Sequence, residues 1–150
     1  MNNLPQLAGT APVETYPVSS GAQVAEGSLV AINTSGQAVP AADAANLTVV
    51  GGGVMVRDGK AAAQPGVFLL KNAASSGYTR ADRGKPAYVL DKDTVGPTTS
   101  NSLVAGLVVD VTSEGVWVDT SLTAIAAGRA FATAEAAAAA ATSAASVTSN

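Results

Sequence analysis

The stretch Leu103 to Asp119, LVAGLVVDVTSEGVWVD, constrains the fold more than any other part of the chain. Its first limb places Leu103, Ala105, Leu107, Val109 and Val111 on one face and Val104, Gly106, Val108 and Asp110 on the other. A period of two in a Val-rich run predicts a strand buried on one side and partly covered on the other. Ser113-Glu114-Gly115 supplies turn chemistry, and Val116-Trp117-Val118-Asp119 returns as a second limb. Leu107, Val109, Val116 and Val118 are expected in the core, with Trp117 on the opposite face. The hairpin predicts a β-domain and carries no catalytic chemistry.

How much domain surrounds it follows from the composition. The 150 residues suit one domain plus tails. Only 13% are charged, about half the usual share, while 47% fall in the hydrophobic set. Much of that set is Ala, so core volume must come from Val, Leu and a few aromatics. A compact body of about 110 residues buries only about two-thirds of its unfolded surface. Few charges and a small core together favour oligomerisation or docking on a larger surface. The net charge of −3, without a basic patch interleaved with aromatics, argues against nucleic-acid binding. Cysteine is absent, which excludes a disulfide framework, a thiolate nucleophile and Cys-ligated zinc. The first ten residues lack the basic and apolar regions of a secretory signal. No run reaches a membrane span. A soluble protein made in a cytoplasm is expected.

Three segments are distinguished: an irregular arm over 1–9, a β-domain over 10–121 and an Ala-rich tail over 122–150. The arm is either a free end or a segment that orders on a neighbouring subunit through Leu4 and Leu7. Thr10 to Val18 reads as extended, with Pro12 and Pro17 marking an edge strand or its borders. Ser28 to Asn33 is strand-like and ends in the turn Asn33-Thr34-Ser35-Gly36. Leu47 to Val50 and Val54 to Arg57 flank Gly51-Gly52-Gly53, and Asp58-Gly59 makes a second hairpin turn. Gly66 to Lys71 is a further strand that points Phe68 or its neighbours inward.

The second half of this pattern answers the first. Gly84 to Leu90 matches Gly27 to Ile32, Asp91-Lys92-Asp93 turns where Asn33-Thr34-Ser35 turned, and Leu103 to Val109 matches Val49 to Val56 with one residue extra. Two readings are open: a duplicated β-unit, or convergent strand patterning. After Asp119 the character changes. Leu122 to Ser146 is mostly Ala, the best helix former, interrupted by Gly128 at a cost of up to about 1 kcal/mol. Bulk ends at Phe131, so the tail is either a helix from near Thr123 that packs weakly or a flexible segment.

Chemical motifs are sparse. Histidine is absent, so no Ser-His or Cys-His arrangement exists. Asp91-Lys92-Asp93 is the one close carboxylate pair, and it lacks the glycine and distal Glu of a calcium loop. Gly53 to Lys60 is one residue too long for a phosphate-binding loop, and Ala61 stands where Ser or Thr is required. The three glycines fit a bulge or a close backbone approach better. Arg80, Asp82, Arg83, Lys85, Asp91, Lys92 and Asp93 concentrate many of the few charges. They form either a solvated loop face or a polar contact patch that sets register with a partner.

Gly84 to Leu90 with its G-x-x-x-Y-V-L segment, Leu103 to Val108, the Gly-Val-x-Val run at Gly115 to Val118, and the earlier Glu26 to Ile32 resemble the capsid decoration, or cement, proteins of tailed bacteriophages. The likeness covers roughly residues 10–120. It implies a mainly β protein, a small β-barrel of the β-tulip type built here from two related β-units, without catalytic residues or cofactor. It further implies a place on the outer surface of a phage capsid, where such proteins clamp neighbouring major capsid protein subunits, commonly as homotrimers; a dimer is the alternative. Neither nucleic acid nor membrane is an expected partner. Candidate contact residues are Leu4, Leu7, Arg80, Arg83, Lys85 and Trp117. The Ala-rich tail departs from the family pattern. A phage fibre, spike or bacterial surface β-module with an Ala-rich stalk is the second expectation. A carboxylate-based hydrolase using Asp91 and Asp93 is the third.

Overall fold

Alternation of small apolar residues with polar ones turns residues 14–119 into short strands, and the alanine run that follows becomes a helix. The computed structural model describes residues 14–148. The strands are β1 (Glu14–Pro17), β2 (Leu29–Ile32), β3 (Ala38–Pro40), β4 (Thr48–Arg57), β5 (Lys60–Gln64), β6 (Val67–Asn72), β7 (Pro86–Asp91), β8 (Thr94–Gly96), β9 (Val104–Thr112) and β10 (Gly115–Asp119), and the helix is α1 (Leu122–Thr148).

The protein is mainly β, and β6 to β10 repeat the topology of β1 to β5. In the second unit the strands close into a barrel in the order β10-β6-β8-β7-β9, with β6 and β8 parallel and the other neighbours antiparallel. In the first unit the order is β1-β5-β4-β2-β3, with every named pair antiparallel. The chain leaving β1 then makes a parallel bridge from Val18 to Ala38 of β3. Val18 donates its N–H to Gly59 O at 2.8 Å and Ser19 to Ala38 O at 3.0 Å. Substituting β6 for β1 and β8 for β3 turns that bridge into the parallel β6–β8 pair, so both units share one design.

Glycines fall at matching points of the two units. Gly27 and Gly84 take left-handed φ values of 80° and 84°, and their N–H groups donate at 2.8 Å to Gly53 O and Val108 O. Gly51 (φ 130°) and Gly106 (φ 156°) pair with Val30 and Ala87, each beside a register shift. A Cβ at Gly51 would collide with Gln64 O, and one at Gly106 with Asp119 O. No other residue type fits there.

The interiors differ in size. Ala87, Val95, Val116 and Val118 fill the second barrel, and the matching positions of the first hold Val30, Ala38, Ala61 and Ala63. Three Val-to-Ala exchanges against one reverse exchange leave the first unit with a smaller core. The units meet through Leu29, Ala31 and Val49 on one side and Leu103, Ala105 and half-buried Phe68 on the other. The three consecutive glycines have a packing role here. A Cβ on Gly52 would lie 2.5 Å from the Phe68 ring, and one on Gly53 would lie 2.6 Å from Ala25 O. Asp43 ties the loops together: its carboxylate accepts from Ser100 N at 2.9 Å and Asn101 N at 2.8 Å.

One expectation needs correction, the placing of Leu107 and Val109 in the core. Val109 is exposed and Leu107 half-buried, whereas Val108 and Val111 join the core with Val116 and Val118. A bulge between Trp117 and Val118 makes Asp110 pair with Trp117 and Val108 with Val118, so Val109 becomes the extra residue and strict alternation fails. The tail is a helix from Leu122, held at its start by Ala124 N–H donating to Ser121 Oγ at 3.2 Å. Ala124, Ile125 and Gly128 bury against the second barrel, and Gly128 is required because a Cβ would lie 2.6 Å from Val104 Cγ1. Glu135 still reaches the barrel, accepting from Tyr88 Oη at 3.4 Å, and residues 137–142 beyond it are exposed, a further length of about 9 Å.

Candidate partner-contact surface

The outward-facing residues of adjacent strands form cross-strand rows, and the bulge aligns one of them. Leu69 of β6, Trp117 of β10 and Asp110 of β9 are direct register partners. Trp117 points away from Val116 and Val118, which are fully buried, so its indole lies on the outer face and is partly exposed. Leu69 is 40% exposed and Val67, on the same face of β6, 53%. This apolar strip ends at Asp110, whose carboxylate accepts from Arg80 Nε at 3.3 Å and Nη2 at 3.4 Å. That guanidinium and the Val111 N–H hold the Asp110 carboxyl below its ordinary range.

Of the expected contact residues, Arg80, Arg83 and Trp117 therefore come together around β9. Arg83 donates from Nε to Val109 O at 2.9 Å. Lys85 stands apart. It pairs with Asp82 at 2.9 Å and lines a 100 Å³ hollow with Tyr78, Tyr88 and Glu135, beneath the helix. Leu4 and Leu7 lie outside the described residues. The charge-rich segment mostly satisfies itself: Thr79 N–H and then Lys85 hold Asp82 below its usual range. At Asp93 burial acts the other way, but Ser28 Oγ, donating at 2.8 Å, and Lys92 Nζ, at 3.0 Å, prevail and lower its pKa. Asp91 accepts from the Asp93 N–H at 2.8 Å. The two carboxylates serve a turn and a bond between the units, and neither borders the hollows described here.

The matching row of the first unit is Thr15, Ala62 and Met55. These residues floor a shallow hollow of about 380 Å³ bordered by Arg57, Asp58 and Lys60. Leu69 and Met55 escaped the sequence reading. The alternation within Gly66 to Lys71 places Leu69 opposite Phe68 and Leu70, which is the signal that could have found it.

A larger apolar groove of about 480 Å³ lies between the units and the helix, walled by Tyr16, Val49, Val50, Ala63, Leu122 and Ile125. It exists because Glu14 stands where the second unit has Phe68, and Ala63 where it has Val118. Tyr16 is pushed up to about 12 by burial and by its hydrogen bond to Glu14. Among the described residues no group of three or more carboxylates gathers in a metal-binding arrangement, and no helix is long and apolar enough to cross a membrane.

No family model matches the chain, and neither does any curated sequence or solved structure.

Proposed function

We propose that the chain is a structural decoration protein that binds the outer surface of a phage head and holds neighbouring major capsid protein subunits together. The observation that carries this reading is the pairing of a doubled β-body, whose second unit is a closed barrel, with an exposed apolar strip around Trp117, rimmed by the Arg80–Asp110 ion pair and Arg83. A closed unit resists edge-to-edge aggregation. A contiguous apolar strip with a polar rim is the usual form of a protein-binding face. The resemblance of Gly84 to Val118 to the cement proteins directs the choice of partner. Binding would be multivalent: an oligomer, with a trimer favoured, makes each later contact intramolecular and raises avidity without new contacts. Preference for the expanded shell would stabilise it by linkage. The role needs no cofactor and no catalytic group.

The test is addition of the purified chain to expanded, undecorated heads of the phage that encodes it. Saturable binding and a higher melting temperature are expected. Unchanged heads, with no copy of the chain on virions, would overturn the reading. The exposed stretch of α1 from 137 to 142 favours a second reading, a fibre or surface module in which the helix starts a stalk. Copy number separates the two, since a shell component occurs in hundreds of copies per particle and a fibre in few.

A further inference from the structure

The two units carry equivalent outer faces of opposite relief. At equivalent positions the second unit presents Leu69, Trp117 and Asp110, and the first presents Thr15, Ala62 and Met55. Large side chains raise one face. Small ones sink the other into the hollow of about 380 Å³, with Met55 45% exposed at its side. Methionine is adaptable and makes favourable contacts with aromatic rings.

The rims also differ in charge. The first unit's hairpin, Arg57-Asp58-Gly59-Lys60, carries one net positive charge, and its counterpart Thr112-Ser113-Glu114-Gly115 carries one negative. Arg57, Lys60, Glu114 and Asp119 form no ion pair among the described residues.

We propose that the recessed face of one copy receives the raised face of a second copy, Trp117 and Leu69 seating over Thr15, Ala62 and Met55. Because the two faces belong to different units, the contact is heterologous and propagates around a ring when its rotation closes. A raised face meeting another raised face would leave the hollow and Met55 uncovered. Trp117, buried at the centre of this contact, is the expected anchor. The charged rims steer approach and fix register. This deepens the expectation of a homo-oligomer and does not rest on binding to a capsid.

The experiment uses the purified full-length chain alone. Trp117 is the sole tryptophan and cysteine is absent, so both probes report single sites. Sedimentation velocity across a concentration series should show association, with a blue shift of tryptophan emission in step. Ala62→Cys protein mixed with Leu69→Cys protein should cross-link into mixed pairs, and neither variant should cross-link alone. Trp117→Ala should weaken association by about 30-fold, the effect of a hot-spot residue. Far-UV circular dichroism checks that this variant folds. The exposed double variant Arg57→Glu/Lys60→Glu tests the other face without touching a core, and should weaken association several-fold, more so at low salt. A monomer at every concentration would overturn the proposal. So would efficient cross-linking of Leu69→Cys with itself, or association unchanged in both Trp117→Ala and the double variant.

Discussion

Tyr78→Phe removes one oxygen from the least replaceable point of the second barrel. Tyr78 is 4% exposed, and its hydroxyl lies 2.7 Å from both Pro86 O and Gly96 O while accepting from Tyr88 N at 3.1 Å. It thereby joins β7 to the end of β8, and Asn72 fixes its backbone through two bonds of 2.8 Å. Burial raises the hydroxyl's pKa well above the ordinary 10.0, so it is neutral and able to donate at neutral pH. One proton serves the two carbonyls. The phenylalanine variant therefore strands the Tyr88 N–H and one carbonyl at about 1–3 kcal/mol each, a loss of roughly 2–6 kcal/mol. Against a total of about 5–15 kcal/mol this is a large fraction. Thermal unfolding followed by circular dichroism should fall by roughly 5–20 °C. Tyr16→Phe is the control, because among the described residues its hydroxyl bonds only to exposed Glu14, at 2.8 Å, and should change stability by less than about 1 kcal/mol. A Tyr78→Phe protein as stable as the Tyr16 control would refute the role given to that hydroxyl.

Three further outcomes are expected. Gly128→Leu should lift the helix from Val104, costing about 1–3 kcal/mol, with faster amide exchange over 122–132 as the readout. Val118→Ala should cost roughly 2–3 kcal/mol in urea unfolding, because it empties the larger interior and leaves the tighter first unit untouched. Asp43, Asp82, Asp93 and Asp110 all have folded pKa values below the ordinary 3.8, so their contribution is complete above that value. It is lost as pH falls further, and the melting temperature should be flat from pH 5 to 8 and drop below about pH 4. At the alkaline end the sign reverses. Tyr16 and Tyr78, raised above 10.0, stabilise the fold below that pH and lose their contribution as it is exceeded.

Much of the fold is legible in the residues, for physical reasons that also explain the gaps. The Leu103 to Asp119 hairpin stands out because Val-rich alternation and a Gly turn agree. The duplication is visible at Gly27 with Gly84 and at Gly51 with Gly106, since only glycine meets those backbone demands. β5 is hidden because its Lys60-Ala61-Ala62-Ala63-Gln64 is built from residues poor in strand propensity, and the narrow first interior is what selects them. The faces of Leu107 and Val109 were inverted by a bulge that no local pattern announces. The contact surface was half legible. Trp117 follows from alternation, but the capture of Arg80 by Asp110, thirty residues away, is a tertiary fact. The raised and recessed faces emerge only when the two units are compared strand by strand.

Shell decoration by this chain is tested by a reconstruction of the phage particle at a resolution that traces it. Copies by the hundred are expected on the outside of the shell, in rings, with Trp117 of each copy against Met55 of the next. Absence from the shell, or a few copies confined to a tail fibre, would contradict it.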